Sequence, residues 1–324
     1  MPVKSEILAL LKKNQTGFIS GEEISDSLQV SRTAIWKHIK ALREDGYGIE
    51  SHPRVGYRLV SVPDRLYPDE ITSHLRTRII GKSVVYFPET VSTNDAAKEL
   101  AAAGMPEGTV VVAEEQTGGR GRLGRAWHSP TGGGIWLSVI LRPDINPMDA
   151  PKITLLTAVA LARTLAAYPE IIPGIKWPND VLVEGKKIVG ILTEMNAEMD
   201  RVNYIVLGIG VNINTVSQEF PDELRNIATS LLITIGRRQN RLDFLANMLQ
   251  NLEELYLMFT QGRFPDIIKE WKKFSVTLGQ RVRIAGPHGD LLEGVAQNLD
   301  ADGALILKTA AGEQRVLAGE VIFT

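Results

Sequence analysis

Residues 116–127 read Gln116-Thr117-Gly118-Gly119-Arg120-Gly121-Arg122-Leu123-Gly124-Arg125-Ala126-Trp127, three guanidiniums interleaved with glycine. Arginine presents a planar fork of donors that matches carboxylate and phosphate oxygens, and glycine lets a backbone close around such a ligand. The run contains a literal G-x-G-x-x-G at Gly119, Gly121 and Gly124. That pattern marks a dinucleotide site only where it ends a strand and opens a helix. Here His128-Ser129-Pro130-Thr131 and three further glycines follow, which excludes a helix. A loop that orders on a phosphate-bearing ligand is the functional reading, and an ordinary basic surface loop is the plain one. The plain one leaves the entropic cost of so much glycine unexplained.

Three more clusters could share that ligand. Lys176-Trp177-Pro178-Asn179-Asp180 precedes Lys187 by one short hairpin, so Asp180 and Lys187 can meet across it, as a working pair or only as a surface ion pair. Gly208-Ile209-Gly210-Val211-Asn212 puts glycines inside an apolar strand, where they mark close approach by a ligand or another backbone. Ser92-Thr93-Asn94 offers small donors at a helix start, a position already favourable to anions.

The elements that position these residues are legible from periodicity. A strand is predicted at 84–87, then a helix capped by Ser92 or Thr93 and ended at Gly104. Further strands are predicted at 109–113 and 135–141, and a long buried helix at 151–168. A hairpin (180–183, then 188–194) and a strand at 203–213 follow. The fold class expected is α+β multidomain, with a mixed, largely antiparallel central sheet and flanking helices. From Leu278 onward, five short strands separated by glycine turns predict a small SH3-like β-barrel.

The first sixty residues read as three short helices and a two-stranded wing. Ser20 caps the second helix, Gln29-Val30 breaks it, and Ser31 caps the third, whose Ile35, Ile39 and Leu42 face inward. This is the pattern of a winged helix-turn-helix. Between Ser31 and Arg58 stand Arg32, Lys37, Lys40, Arg43, Arg54 and Arg58 against Glu44, Asp45 and Glu50. A local basic face of this kind suits DNA even though the whole 324-residue chain carries a net charge of −2. The expected contacts are Ser31, Arg32, Thr33 and Lys37 at the major groove and Arg54 at the phosphates beside the wing. A protein–protein module with solvated charges is the alternative. The domains expected are 1–62, 63–274 and 275–324.

Composition excludes several classes. With 44% hydrophobic and 23% charged residues the chain can bury a core and is not disordered or fibrous. No run approaches the ~18 apolar residues of a membrane span. The absence of cysteine removes thiolate zinc sites, catalytic thiols and disulfides, and agrees with a cytoplasmic setting.

In order and spacing, Ser92-Thr93-Asn94, the 119–125 loop with Trp127, Lys176-Trp177-Pro178-Asn179-Asp180, Gly185-Lys186-Lys187-Ile188-Val189-Gly190-Ile191 and Gly208-Ile209-Gly210-Val211-Asn212 resemble the biotin–protein ligases. With the winged helix attached, the whole chain is similar to the bifunctional members that also repress biotin biosynthesis and transport genes. Asp95 stands where the family often has another polar residue.

The resemblance implies a biotin–[acetyl-CoA-carboxylase] ligase using biotin, ATP and Mg²⁺. It further implies that Ser92, Thr93, Asn94, Gln116, Arg120, Gly121, Arg122, Lys187, Gly208 and Gly210 hold biotin and its activated carboxylate. Trp127, Asn212, Lys176 and Asn179 would receive the adenylate, and Lys187, Arg122 and Asp180 would carry the chemistry. No resident metal is implied. The implied partners are a biotin carrier domain, operator DNA with an inverted repeat, and a second copy of the chain drawn in by biotinyl-5′-AMP, with no membrane. A ligand-sensing transcription factor without catalysis and a lipoate-type ligase are the competing readings. The first leaves Lys187 and Asp180 without a purpose, and the second leaves the winged helix and the Gly-Arg-Gly-Arg loop without one.

Overall fold

The computed structural model describes residues 3–14, 16–285 and 291–324. The chain divides into two compact units, Met1–Arg65 and Leu66–Thr324.

The first unit contains α1 (Val3–Lys13), α2 (Gly21–Leu28), α3 (Arg32–Glu44), β1 (Gly48–His52) and β2 (Gly56–Ser61). Its boundaries follow from local chemistry. Ser20 and Glu23 form a reciprocal capping box on α2, and Gln29 ends that helix at φ 54°. The Ser31 hydroxyl accepts from Ala34 N and opens α3. Ile7, Leu8, Leu11, Ile24, Ile35, Ile39 and Leu42 make the buried core. β1 and β2 pair antiparallel as the wing, and Arg43 ties α3 to it by donating twice to the Ile49 carbonyl. Gly56, at φ 126°, is obligatory: a Cβ there would lie 2.0 Å from the Ile19 carbonyl oxygen.

The second unit is built on a seven-stranded sheet. In chain order its elements are α4 (Pro68–His74), β3 (Val84–Phe87), α5 (Thr93–Ala102), β4 (Val110–Ala113), β5 (Gly134–Leu141), α6 (Ala150–Ala166), β6 (Pro173–Lys176), β7 (Asp180–Val183), β8 (Lys186–Ala197), β9 (Val202–Asn212), α7 (Leu231–Ile235), α8 (Arg241–Thr260) and α9 (Phe264–Phe274). The strand order is β3-β4-β5-β9-β8-β7-β6; β3 and β4 are parallel and every other pair is antiparallel. Side chains alternate across the sheet, so Val110 and Val112 join the large core with α6, α8 and α9, while Val111 joins Ala97 and Ala101 of α5 on the opposite face. The sheet is therefore covered on both sides, which explains why β4 and β5 are buried throughout.

The expected long helix appears as α6, buried on most of its surface. Sequence reading assigned nothing to α8 and α9, the twenty- and eleven-residue helices that complete the layer with α6.

β10 (Arg281–Ala285), β11 (Leu291–Leu299), β12 (Leu305–Thr309), β13 (Gly312–Val316) and β14 (Glu320–Phe323) form the expected five-stranded antiparallel C-terminal sheet, ordered β13-β12-β11-β10-β14. Its Val282, Ile284, Leu305, Leu307 and Val321 belong to the same hydrophobic cluster as the central sheet. The Trp177 indole donates to the Gly303 carbonyl, and Trp177 N donates to the Thr277 hydroxyl. This continuous packing is why the segment is no separate compact unit.

Candidate active site and nucleic-acid interface

A cavity of about 420 Å³ opens beside β8 and β9. Every residue nominated from the sequence for biotin, adenylate or chemistry lines it: Ser92, Thr93, Asn94, Gln116, Arg120, Gly121, Arg122, Trp127, Lys176, Asn179, Asp180, Lys187, Gly208, Gly210 and Asn212.

One wall is a chain of polar side chains buried at the start of α5. The Gln116 side-chain Oε1 accepts from both Thr93 N (2.9 Å) and Thr93 Oγ1 (3.1 Å), so a side chain from beyond β4 does the capping expected of Ser92 or Thr93. Gln116 Nε2 donates to Ser129 Oγ at 2.9 Å. Ser138 Oγ lies 2.9 Å from Thr93 Oγ1 and 2.6 Å from Asn94 Oδ1, and Asn94 Nδ2 donates to Glu194 at 2.7 Å. A satisfied network of this kind fixes donor and acceptor positions before any ligand arrives. Such a wall can orient a ligand bearing both amide-like and apolar parts.

The floor is glycine. Gly190 of β8 and Gly210 of β9 face each other in register, and the Trp127 indole lies against both. A Cβ at Gly210 would come within 2.4 Å of Trp127 Nε1, and one at Gly190 within 2.8 Å of the same ring. A Cβ at Gly208 would fall 2.2 Å from Asn94 Oδ1. Lys187 Nζ sits 5.3 Å above the Trp127 ring centroid, and Trp136 meets that ring edge-on.

The glycine-rich loop folds back on itself. Gly121 N donates to the Arg125 carbonyl and Trp127 N to the Gly119 carbonyl, around a single tight turn at Arg122–Gly124 in which Leu123 has φ 58°. Each of its arginines has a protein partner. Arg120 forms a bidentate pair with Asp95, which holds the Asp95 carboxyl at about 2, so the anchor stays ionised through the neutral range. Arg122 donates from Nη1 to Asn179 Oδ1 (3.1 Å) and to the Gly319 carbonyl (3.2 Å). Arg125 forms a bidentate pair with Glu320 at the start of β14.

At the far end Lys187 Nζ lies 2.7 Å from Asp180 Oδ1, an ion pair set across the hairpin turn at Glu184 and Gly185. No hydrogen bond reaches that buried oxygen, so the pair is close but off the hydrogen-bond line. Burial lowers the pKa of Arg122 and of Lys176 from their ordinary values, with Asp180 and Glu320 opposing it. Arg122, Arg125, Lys176 and Lys187 thus surround Asp180 and Glu320, a cationic surplus suited to phosphate oxygens.

Comparison with known proteins decides the family. Residues 86–212 match the Biotin/lipoate A/B protein ligase family, residues 3–58 an HTH domain and residues 277–324 the Biotin protein ligase C terminal domain. The chain is 42% identical over 98% of its length to a Bifunctional ligase/repressor BirA from Bacillus spizizenii, of which it covers 98%. It is 33% identical to a Biotin--[acetyl-CoA-carboxylase] ligase from Mycobacterium tuberculosis, over 80% of this chain and 97% of that one. A biotin protein ligase from Aquifex aeolicus, solved in complex with biotin and ATP, superposes with a TM-score of 0.65 at 29% identity, covering 75% of this chain and 99% of that one. This chain belongs to the bifunctional biotin ligase and repressor family.

Sequence reasoning missed several groups that line the cavity or hold its lining residues. Ser138 and Ser129 extend the polar wall, and a serine inside the apolar strand 135–141 was the available signal. His128, Phe220, Leu224, Ile227 and Ala228 line the side nearest Asn212, whose Nδ2 donates to the Thr229 carbonyl. The segment is stitched to β8 by Lys187 N to the Ile227 carbonyl and Thr229 N to the Lys187 carbonyl. Glu320, Val321 and Phe323 come from the last strand, with Lys176 Nζ 5.3 Å from the Phe323 ring.

In the helix-turn-helix unit, Arg32, Thr33 and Lys37 are exposed on α3, and Arg54 is exposed at the wing tip with φ 66°. Ser31 spends its hydroxyl on the helix cap, and Arg32 pairs with Glu22 at 3.2 Å. Among the described residues no helix is long and apolar enough to cross a membrane, and no group of three or more His, Cys, Asp or Glu residues is placed to hold a metal.

Proposed function

We propose that this protein joins biotin to a specific lysine of a biotin carrier domain at the expense of ATP, and represses biotin biosynthesis and transport genes when the intermediate accumulates. The observation that carries the reading is the single cavity in which the polar wall, the glycine floor and the cationic end adjoin. Ser92, Thr93, Asn94 and Gln116 hold the biotin ring over Gly208 and Gly210. Arg120, Gly121, Arg122 and Lys187 attend its carboxylate. The carboxylate oxygen attacks the α-phosphorus of ATP, the bond to the β-phosphate oxygen breaks, and pyrophosphate leaves biotinyl-5′-adenylate. Arg122, Lys176 and Lys187 stabilise the charge developing on the phosphates. Trp127, Asn179 and Asn212 hold the nucleotide, with Phe220 and Ile227 closing its side.

Mg²⁺ bound with ATP would neutralise charge developing on the phosphates, and a carboxylate at that end of the cavity would hold it. Asp180, with its buried oxygen free of hydrogen bonds, is the carboxylate at that end. In the second step the acceptor amine attacks the mixed anhydride and AMP departs. A lysine of ordinary pKa, about 10.4, is neutral in roughly one molecule in 2,500 at pH 7. Asp180 takes its proton.

By role the chain divides into a DNA-binding segment at 1–62, a catalytic segment at 63–274 and a C-terminal segment at 275–324 that shares the catalytic core, and the protein works in the cytoplasm. Adenylate binding promotes a homodimer whose paired helix-turn-helix units read an inverted repeat, with Ser31, Arg32, Thr33 and Lys37 at the groove and Arg54 at the backbone. The test is mass spectrometry of a biotin acceptor domain incubated with the protein, Mg²⁺-ATP and either biotin or lipoate. A mass gain of one biotinyl group, absent with lipoate, is the expected result. Lipoyl transfer alone would replace this reading by the lipoate-type one.

A further inference from the structure

The five tryptophans of the chain are disposed very differently. Trp136, Trp177 and Trp271 are buried and Trp127 is half-buried in the ligase cavity, but Trp36 on α3 is 55% exposed. An indole is the largest apolar side chain, and leaving it in water forfeits stabilisation that burial would return. Its place on the helix is specific. Arg32, Trp36 and Lys40 recur every four residues, with Thr33 and Lys37 one step round, so the indole stands in the middle of an exposed cationic stripe. The opposite stripe, Ile35, Ile39 and Leu42, is the buried one. Trp36 therefore has no part in the core of its own unit.

We propose that Trp36 reads thymine in the major groove. This rests on the repressor reading above, and the chemistry narrows the base. An indole offers apolar edge and one N–H donor, and nothing that accepts. Thymine presents a 5-methyl group beside the O4 acceptor on its major-groove edge. Cytosine presents a donor, which the indole cannot satisfy. Guanine and adenine offer acceptors but no apolar group. The flanking cations supply the phosphate attraction that brings any DNA close, and one that reaches a base edge prefers guanine, not thymine. The neutral indole supplies the choice.

The experiment uses the full chain with biotin and Mg²⁺-ATP. A random duplex library is selected for binding, and the winning duplex is made in two forms, with thymine or with uracil, which differ only in the 5-methyl groups. Wild type is expected to bind the uracil form about fivefold or more weakly, in line with the loss of one base contact. Trp36→Ala is expected to lose the same factor on thymine DNA, to bind both forms alike, and to keep the salt dependence of the wild type. Trp36→Phe, which retains an apolar ring, is expected to recover part of the preference and shows that the loss is not one of folding.

Equal binding of both forms by wild type would overturn the proposal, as would an Ala variant that still prefers thymine. An Ala variant that shifts self-association while leaving DNA binding intact would assign Trp36 to a contact between copies. Selection that enriches no duplex at all would instead sink the repressor reading itself.

Discussion

At the residue scale, the cavity separates groups that hold from groups that react. Asp180 is the carboxylate nearest the cationic end, 2.7 Å from Lys187 and without a hydrogen bond to its buried oxygen. Asp180→Asn keeps the shape and removes the base. Adenylate formation is expected to weaken through the lost Mg²⁺ carboxylate, and transfer to the acceptor to slow by about 10²–10⁴ in its own right. Single-turnover transfer from preformed adenylate measures the second step alone, and an unchanged rate would remove Asp180 from it. Arg122 is the residue whose guanidinium spans Asn179 and Gly319, joining the glycine-rich loop to both the hairpin and the last strand. Losing charge-assisted hydrogen bonds of that kind costs about 1.5–3 kcal/mol. Arg122→Gly is therefore expected to make the adenylate but release it roughly ten to a hundred times faster, labelling bystander lysines. Serum albumin added with biotin and Mg²⁺-ATP reports the leak, and albumin left as clean as with wild type would exclude Arg122 as the latch.

At the element scale, two glycines two residues apart on β9 do different work because different partners sit above them. A methyl at Gly208 meets Asn94 Oδ1, which is held inside the buried network by Ser138 and Glu194 and cannot retreat. Gly208→Ala is expected to cost about 1–3 kcal/mol of stability, the usual toll of overpacking. A methyl at Gly210 meets Trp127, which is carried by a loop. Gly210→Ala is expected to leave the melting temperature nearly unchanged and to weaken biotin binding. Denaturant titration and calorimetric binding of both variants test the contrast, and equal stability losses would refute it. The wing obeys the same logic of placement. Arg54, exposed at its tip, is expected on replacement by alanine to weaken DNA binding across sequences and to lower the salt slope by about one unit. A filter-binding series over salt concentration would read it, and a slope equal to that of wild type would take the wing off the backbone.

At the scale of the whole molecule, the ligase cavity is assembled from segments that span the second unit from Ser92 to Phe323. The 118–127 loop ties together α5 through Asp95, the β6–β7 turn through Asn179, and β14 through Glu320. On the function proposed above, adenylate bound against that loop would bear on all three elements at once. Biotin with Mg²⁺-ATP is expected to favour the dimer by about 1–3 kcal/mol, the ordinary scale of coupling between sites. Sedimentation with and without the two substrates measures it, and an identical monomer–dimer balance would separate catalysis from repression.

The amino-acid sequence by itself determined what depends on neighbours a few residues apart. The Ser20 and Ser31 caps, the break at Gln29, the Glu184-Gly185 turn and the apolar runs of β5 and β9 are all local, and so were legible. The residues that line the cavity were legible too, because close approach demands glycine, and a cationic cluster shows in residue type wherever the chain happens to go. Only the tertiary structure decided which cation meets which carboxylate. Arg120 lies 25 residues from Asp95, Arg125 lies 195 from Glu320, and Arg122 lies 197 from Gly319. Many carboxylates compete for each arginine in the sequence, and the energy of a pair falls off within a few ångströms. The choice among them is made by the packing of α6, α8 and the C-terminal sheet around one core, which no local pattern records.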